Sequence, residues 1–241
     1  MTFTSIKPKP LFIYAMRVVG YNLKVVFGNK FVYFFAASLI FYLLITSINL
    51  FTTEAVGIES VYYQLMFPGL LLVFFPTVFG IQNDSDARIL EIIFGIPNYR
   101  YKVYLVRLAI VLCMQMVYLI LLSYASNILL VEVPVLSMAM RLMVPIAFFG
   151  MLGFAFSTVV RNGNGTVVVV VLIGLLFWVL SGIFGNSKWN VFLNPFSEPD
   201  SMSDLVWASV VAQNRGILLA TSVVLLLWGL INLQRREKFM A

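Results

Sequence analysis

Six segments of this chain run for about a bilayer's thickness without a single Lys, Arg, Asp or Glu: Phe31–Leu50, Val61–Gln82, Leu108–Val131, Leu142–Val160, Thr166–Gly185 and Gly216–Leu233. A helix needs about 20 residues to cross a hydrocarbon core of about 30 Å. In that medium every backbone polar group must be bonded within the chain, which leaves helices and closed barrels. Runs such as Val167–Val171 do not alternate apolar with polar side chains, so the barrel drops out. The expected fold is an all-α membrane protein with six transmembrane helices. Composition agrees: charged residues make up 11% of the chain, against about 25% in soluble domains. The apolar excess is too large for one aqueous core.

The formal net charge of +6 would suit nucleic acid in a soluble protein. The positions of the charges point elsewhere. Lys7, Lys9, Arg17, Lys24 and Lys30 precede span 1, and Arg88, Arg100, Lys102 and Arg107 lie between spans 2 and 3. Arg161 falls between spans 4 and 5, and Arg235, Arg236 and Lys238 follow span 6. Only Arg141, Lys188 and Arg215 reach the other compartment, so thirteen of the 16 basic residues share one side. By the positive-inside rule both termini are expected to be cytoplasmic, with the lipid bilayer and not nucleic acid as the partner of the basic excess. The long basic N-terminal region and the absence of a small-residue cleavage site argue against a removable signal peptide.

Histidine is absent, which removes His-ligated zinc peptidases, Ser-His proteases and most axial haem ligation. The single cysteine, Cys113, sits in an apolar run and reads as a small packing residue. No metal site is expected, and no catalytic residue is assigned. Membrane enzymes that work through acidic residues alone stay open, with Asp84/Asp86 and Glu198/Asp200/Asp204 as their only carboxylate groups.

Residues 1–30 form the first unit. Met1–Pro10 reads as an extended tail, and Leu11–Gly28 either as a helix lying in the cytoplasmic interface or as an extension of span 1. Residues 31–241 form the six-helix domain. Its most informative loop is Asp84–Arg107, in which Asp84 or Ser85 can cap a helix and Asp86 suits its first turn. Ile89, Leu90, Ile92, Ile93 and Phe94 follow, interleaved with Arg88 and Glu91, and Gly95 and Pro97 supply a stop. The expected helix of about ten residues is roughly 15 Å long and too short to span. Its apolar face must meet headgroups, its own bundle or another protein. The charged rim of Asp86, Arg88 and Glu91 favours a protein partner. Tyr99, Arg100, Tyr101, Lys102 and Tyr104 then read as an interfacial anchor for span 3.

Two spans joined by Asp86-Ala87-Arg88-Ile89-Leu90-Glu91-Ile92-Ile93-Phe94-Gly95-Ile96-Pro97, with a basic residue opening span 3, resemble the ABC-2 type permeases. The resemblance implies that the 84–97 helix is a coupling helix seated on a separate ATPase subunit. Asp86 stands for the family's leading acid, Leu90-Glu91-Ile92-Ile93 for its core, Pro97 for its terminator and Arg107 for its later basic residue. The ATPase-contacting residues would be Asp86, Arg88, Leu90, Glu91, Ile93, Phe94 and Pro97. The Gly that usually precedes the Leu-Glu pair is replaced by Ala87-Arg88-Ile89. The likeness extends over the chain: interfacial N-terminal helix, six spans, cytoplasmic ends and a long outer loop, 186–215, before span 6.

That loop carries Leu193-Asn194-Pro195 and the later Arg215, echoing an Asn-Pro…Arg pattern of the family. Asn194, Pro195 and Phe196 form either an outer gate or part of an aromatic collar with Trp189 and Phe192. Leu205–Ala212 is expected as a short helix packed on the bundle. In the family spans 2 and 5 face the translocation path, which places Phe67, Phe74, Phe177 and Trp178 as its lining. Pro68 and Pro76 are expected to bend span 2, and Pro145 lies in span 4.

No span holds the acidic residue that ion-coupled carriers commonly use, and no phosphate-binding Gly-x-x-x-x-Gly-Lys-Ser/Thr loop is present. The resemblance therefore implies a permease subunit without its own nucleotide site, with ATP and Mg on the partner ATPase. It further implies a second permease copy, identical or related, and a bacterial inner-membrane location. Export of a lipid-like, peptide or drug-like substrate is the expected activity. A membrane-embedded enzyme and a non-transporting scaffold are the alternatives.

Overall fold

The structure, a computed structural model, describes residues 20, 29–52, 56–86 and 100–234. Among them there are seven longer or shorter helices and no strand: α1 (Asn29–Phe51), α2 (Ile58–Val78), α3 (Gly80–Asp86), α4 (Arg100–Leu129), α5 (Val135–Val160), α6 (Gly163–Phe184) and α7 (Asp204–Gln234). Six helical segments are long and apolar enough to cross a membrane, α2 and α3 together making one of them. The interfacial helix expected within 11–28 and the body of the coupling helix, 87–97, lie outside the described residues.

Burial ranks the helices. In its most apolar stretch α5 is 72% buried and α2 61%, whereas α6 is only 6% buried. The bundle is therefore organised on the α2–α5 pair. Helix α4 packs against both, α1 lies on α2, α7 lies on α5, and α6 leans on α5 with little contact to α2. Hydrophobic burial cannot hold helices together where lipid is equally apolar, so close van der Waals approach must do so. Gly150 and Gly153 of α5 supply it: a Cβ on Gly150 would meet Val73 at 3.0 Å, and one on Gly153 would meet Thr77 Oγ1 at 2.9 Å.

Most polar side chains inside the bundle are bonded, as hydrocarbon demands, the buried Ser123 hydroxyl being an exception. The Ser38 hydroxyl donates to the Pro68 carbonyl at 2.9 Å, and Gln115 Nε2 donates to the Gly69 carbonyl at 3.0 Å. Gln64 bridges Thr46 and Asn49 on α1, and the Tyr42 and Ser126 hydroxyls meet at 3.0 Å. Pro68 and Pro76 both lie inside α2. The helix stops at Phe79, three residues after Pro76, and α3 resumes at Gly80. Bonds from α1 and α4 to the carbonyls around Pro68 are the neighbours' contribution that makes such irregularity tolerable in lipid.

Several boundaries differ from the sequence reading. Helix α4 starts at Arg100, α5 at Val135 and α7 at Asp204, so Arg107, Arg141 and Arg215 lie within helices. Leu205–Ala212 is not a separate helix. It is the first part of an uninterrupted 31-residue α7, about 46 Å long, which shortens the irregular loop before it to 185–203. Hydropathy ends a span at the first charge, but a helix continues until its backbone pairing stops, and Lys and Arg can sit in the first turns. Cys113 is exposed on α4 rather than packed inside. Asn162 caps α6 by accepting from the N–H groups of Asn164 and Gly165 at 2.9 and 3.3 Å. The preceding Arg161 ends α5 in the left-handed conformation, φ 57°, so a two-residue reversal joins the helices.

Candidate functional site

Helix α6 leans on α5 with little contact to α2, and the space left between α2 and α6 is a cavity of about 700 Å³ roofed by the 185–203 loop. Phe67, Leu70 and Phe74 of α2, Phe149 of α5, and Val171, Leu175 and Trp178 of α6 form its apolar walls. Asn186, Asn190, Asn194 and Ser197 lie at the loop end. No charged residue lines it.

Three of the four side chains expected on a path, Phe67, Phe74 and Trp178, therefore share one groove. Phe177 does not join them. Its ring packs edge-on against Phe148 and Phe149, with centroids 5.8 and 6.4 Å apart. One residue of helix rotation (about 100°) separates Trp178 from Phe177 and turns one to the groove and the other to α5.

The loop above the groove is tied down mainly by its own carbonyls. Asn190 and Asn194 each accept from the N–H two residues on, at 3.0 Å, the turn geometry such side chains favour. Asn194 Nδ2 also donates to the Glu59 carbonyl at 3.0 Å. Helix α7 reaches up through Asn214, which donates to the Lys188 and Asn190 carbonyls at 2.9 and 2.8 Å. Arg215 of the same helix donates to the Leu193 carbonyl at 3.1 Å and to the Tyr62 hydroxyl at 2.9 Å. From α5, Arg141 donates to the Pro195 carbonyl at 3.3 Å and lies 4.8 Å over the Phe196 ring. Asn194, Pro195 and Phe196 are thus split: Asn194 faces the groove, whereas Pro195 and Phe196 face Arg141. The Nε and Nη1 atoms of Arg215 are buried without a hydrogen-bond partner.

A second polar cluster sits at the opposite end of the bundle. Asp84, expected as a helix cap, instead lies inside α3 and is buried. It accepts from the Tyr104 hydroxyl at 2.8 Å and forms an ion pair with Arg107. Gln82 of α3 accepts from the Gly163 N–H at the start of α6. Asp86 is exposed at the end of α3. Arg88, Leu90, Glu91, Ile93, Phe94 and Pro97 lie outside the described residues. The sequence reading singled out Arg107 but missed its partner. A charged residue seven positions into a long apolar helix, and an acid eight residues past Pro76, were the available signals.

Glu198, Asp200 and Asp204 are all exposed. Partial desolvation, and after it the Asp204 carboxylate, hold the Glu198 carboxyl above its ordinary pKa. Among the described residues no group of three or more His, Cys, Asp or Glu side chains is placed to hold a metal ion. A comparison with protein-family models, with curated proteins and with solved structures finds no match for this chain.

Proposed function

We propose that this chain is the transmembrane permease subunit of an ATP-driven ABC transporter of the ABC-2 type, working as an exporter. The observation that carries the reading is the segment from Asp84 to Pro97. It combines an apolar, helix-forming stretch with an acidic and basic rim, and its first residue, Asp84, is bonded to Arg107 and Tyr104 of the next span. A partner that pushes on that segment would move α3 and α4 together, because the ion pair joins them. The helices carry no acid at mid-membrane for ion coupling, and the chain has no phosphate loop, so a separate ATPase is the energy source that fits.

In this reading Asp86, Arg88, Leu90, Glu91, Ile93, Phe94 and Pro97 dock on the ATPase, which supplies ATP and Mg. Two permease copies pair, both termini are cytoplasmic, the membrane is a bacterial inner membrane, and the loop-roofed groove faces the outer leaflet. Affinity purification of the full chain in mild detergent from its native membranes tests the proposal. An ATPase subunit is expected to co-purify, and Glu91→Arg is expected to abolish that association and the transport with it. Association and ATP-dependent transport that both survive Glu91→Arg overturn the coupling assignment.

A further inference from the structure

We propose that the α2–α6 groove binds the hydrocarbon chain of a single-leaflet amphiphile whose headgroup is uncharged and hydroxyl-bearing. As a substrate assignment this rests on the permease reading; as a binding site it does not, and the test separates the two. Three dimensions of the groove point to it.

The first is depth. The lining of α2 runs from Tyr63 to Phe74, eleven residue steps or about 16 Å. The lining of α6 runs from Val170 to Gly182, twelve steps or about 18 Å. Half of a hydrocarbon core of about 30 Å is about 15 Å. The groove therefore has about the depth of one leaflet.

The second is size. A volume of about 700 Å³ lies within the range of small-ligand pockets, about 300–1,000 Å³, and has room for an extended hydrocarbon chain.

The third is charge. The walls are aromatic and aliphatic, and the loop end offers Asn186 and Ser197 but no cation or carboxylate; the buried Asn190 and Asn194 amides beside them already bond the Gly185 and Glu59 carbonyls and the loop's own N–H groups. The two nearby guanidinium groups, Arg141 and Arg215, bond the Pro195 and Leu193 carbonyls and do not line the groove. A phosphate or carboxylate headgroup would enter without a counter-charge and lose hydration. Hydroxyl groups, which both donate and accept, match amide and hydroxyl side chains.

The test uses the full chain in phosphatidylcholine nanodiscs, labelled with a C16 monoacylglycerol carrying a diazirine in its chain and mapped by mass spectrometry. Adducts are expected on residues 63–74 and 170–182 and are expected to be displaced by unlabelled monoacylglycerol. Gly174→Leu and Val171→Trp fill the groove from α6. A Cβ at position 174 meets only Phe149, at 3.7 Å, so the fold should tolerate the first. Each is expected to weaken labelling about tenfold, while Val179→Trp, on an exposed position outside the lining, leaves it unchanged. Equal labelling by the C16 lysophosphatidate probe overturns the headgroup assignment. Adducts spread over the exposed faces and indifferent to Gly174→Leu overturn the site. Absence of label with Trp178 shielded by a second copy makes the groove a subunit interface and overturns it too. Groove labelling without ATP-dependent transport leaves the site standing and refutes the permease reading.

Discussion

The ion pair between Asp84 and Arg107 yields the sharpest energetic test of how the chain is held together. Both partners are largely removed from solvent, with side-chain exposures of 3% for Asp84 and 12% for Arg107. Replacing Arg107 by Met leaves the Asp84 carboxylate with one remaining bond, from the Tyr104 hydroxyl at 2.8 Å. An uncompensated buried charge of this kind costs about 3–5 kcal/mol. Tyr104→Phe removes one hydrogen bond to a charged acceptor and is expected to cost about 1.5–3 kcal/mol. The double variant Asp84→Leu/Arg107→Met removes both charges at once, and is expected to fall within about 1 kcal/mol of the parent chain or above it. The costs of Arg107→Met and of Asp84→Leu taken singly are therefore strongly non-additive. Reversible unfolding of the purified chain in mixed micelles, titrated with SDS, measures all four states. A cost below about 1 kcal/mol for Arg107→Met, the value of an exposed pair, together with additive effects, would refute the buried geometry. The same cycle bears on function: if the pair transmits motion from the 84–97 segment to α4, the stable double variant is expected to lose transport while keeping its fold.

Two other substitutions probe the packing. Gly69→Val is expected to destabilise by about 1–3 kcal/mol through overpacking, because its Cβ would press on Ile146 and meet Gln115 Nε2 and Leu119 at 3.2 Å. Gly182→Ala, with nothing within 4 Å, is expected to be neutral or slightly stabilising in the same titration, since Ala outranks Gly in a helix by about 1 kcal/mol. Arg215→Met withdraws the bonds to the Leu193 carbonyl and the Tyr62 hydroxyl. Tryptic cleavage at Lys188 is then expected to rise about tenfold as the loop opens more often; unchanged cleavage would mean that Asn214 and Arg141 hold the loop without it.

The spans were legible because charge is expensive in hydrocarbon. Six uncharged runs of adequate length leave few alternatives, and a helix is found over each, with its limits shifted and the second run interrupted at Phe79. Their limits were less legible. Arg107, Arg141 and Arg215 read as loop residues because they are charged, yet each is carried on a helix and bonded to a partner from elsewhere in the chain. Asp84 shows the same limit from the other side. Its neighbourhood in sequence suggests a helix cap, but its partners are 20 and 23 residues away on α4. The groove was half visible: Phe67, Phe74 and Trp178 face it, whereas Phe177, adjacent in sequence to Trp178, turns to Phe148 and Phe149. Short hydropathy runs cannot phase a helix that is apolar on every side, so α6 gave no periodic signal about which face meets protein and which meets lipid.

Residue types thus set which parts of the chain enter lipid, since transfer free energy is a property of the side chain and needs no partner. Which polar groups are bonded to which, and which helix flank stands away from its neighbour, depend on distances between residues far apart in sequence. Arg215 clamps Leu193 and Tyr62, Gln82 holds the start of α6, and α6 leans on α5 rather than α2. The close α2–α5 approach follows from the missing side chains of Gly150 and Gly153, and the loop's position from bonds to its carbonyls; together they leave the uncharged groove open beneath the loop.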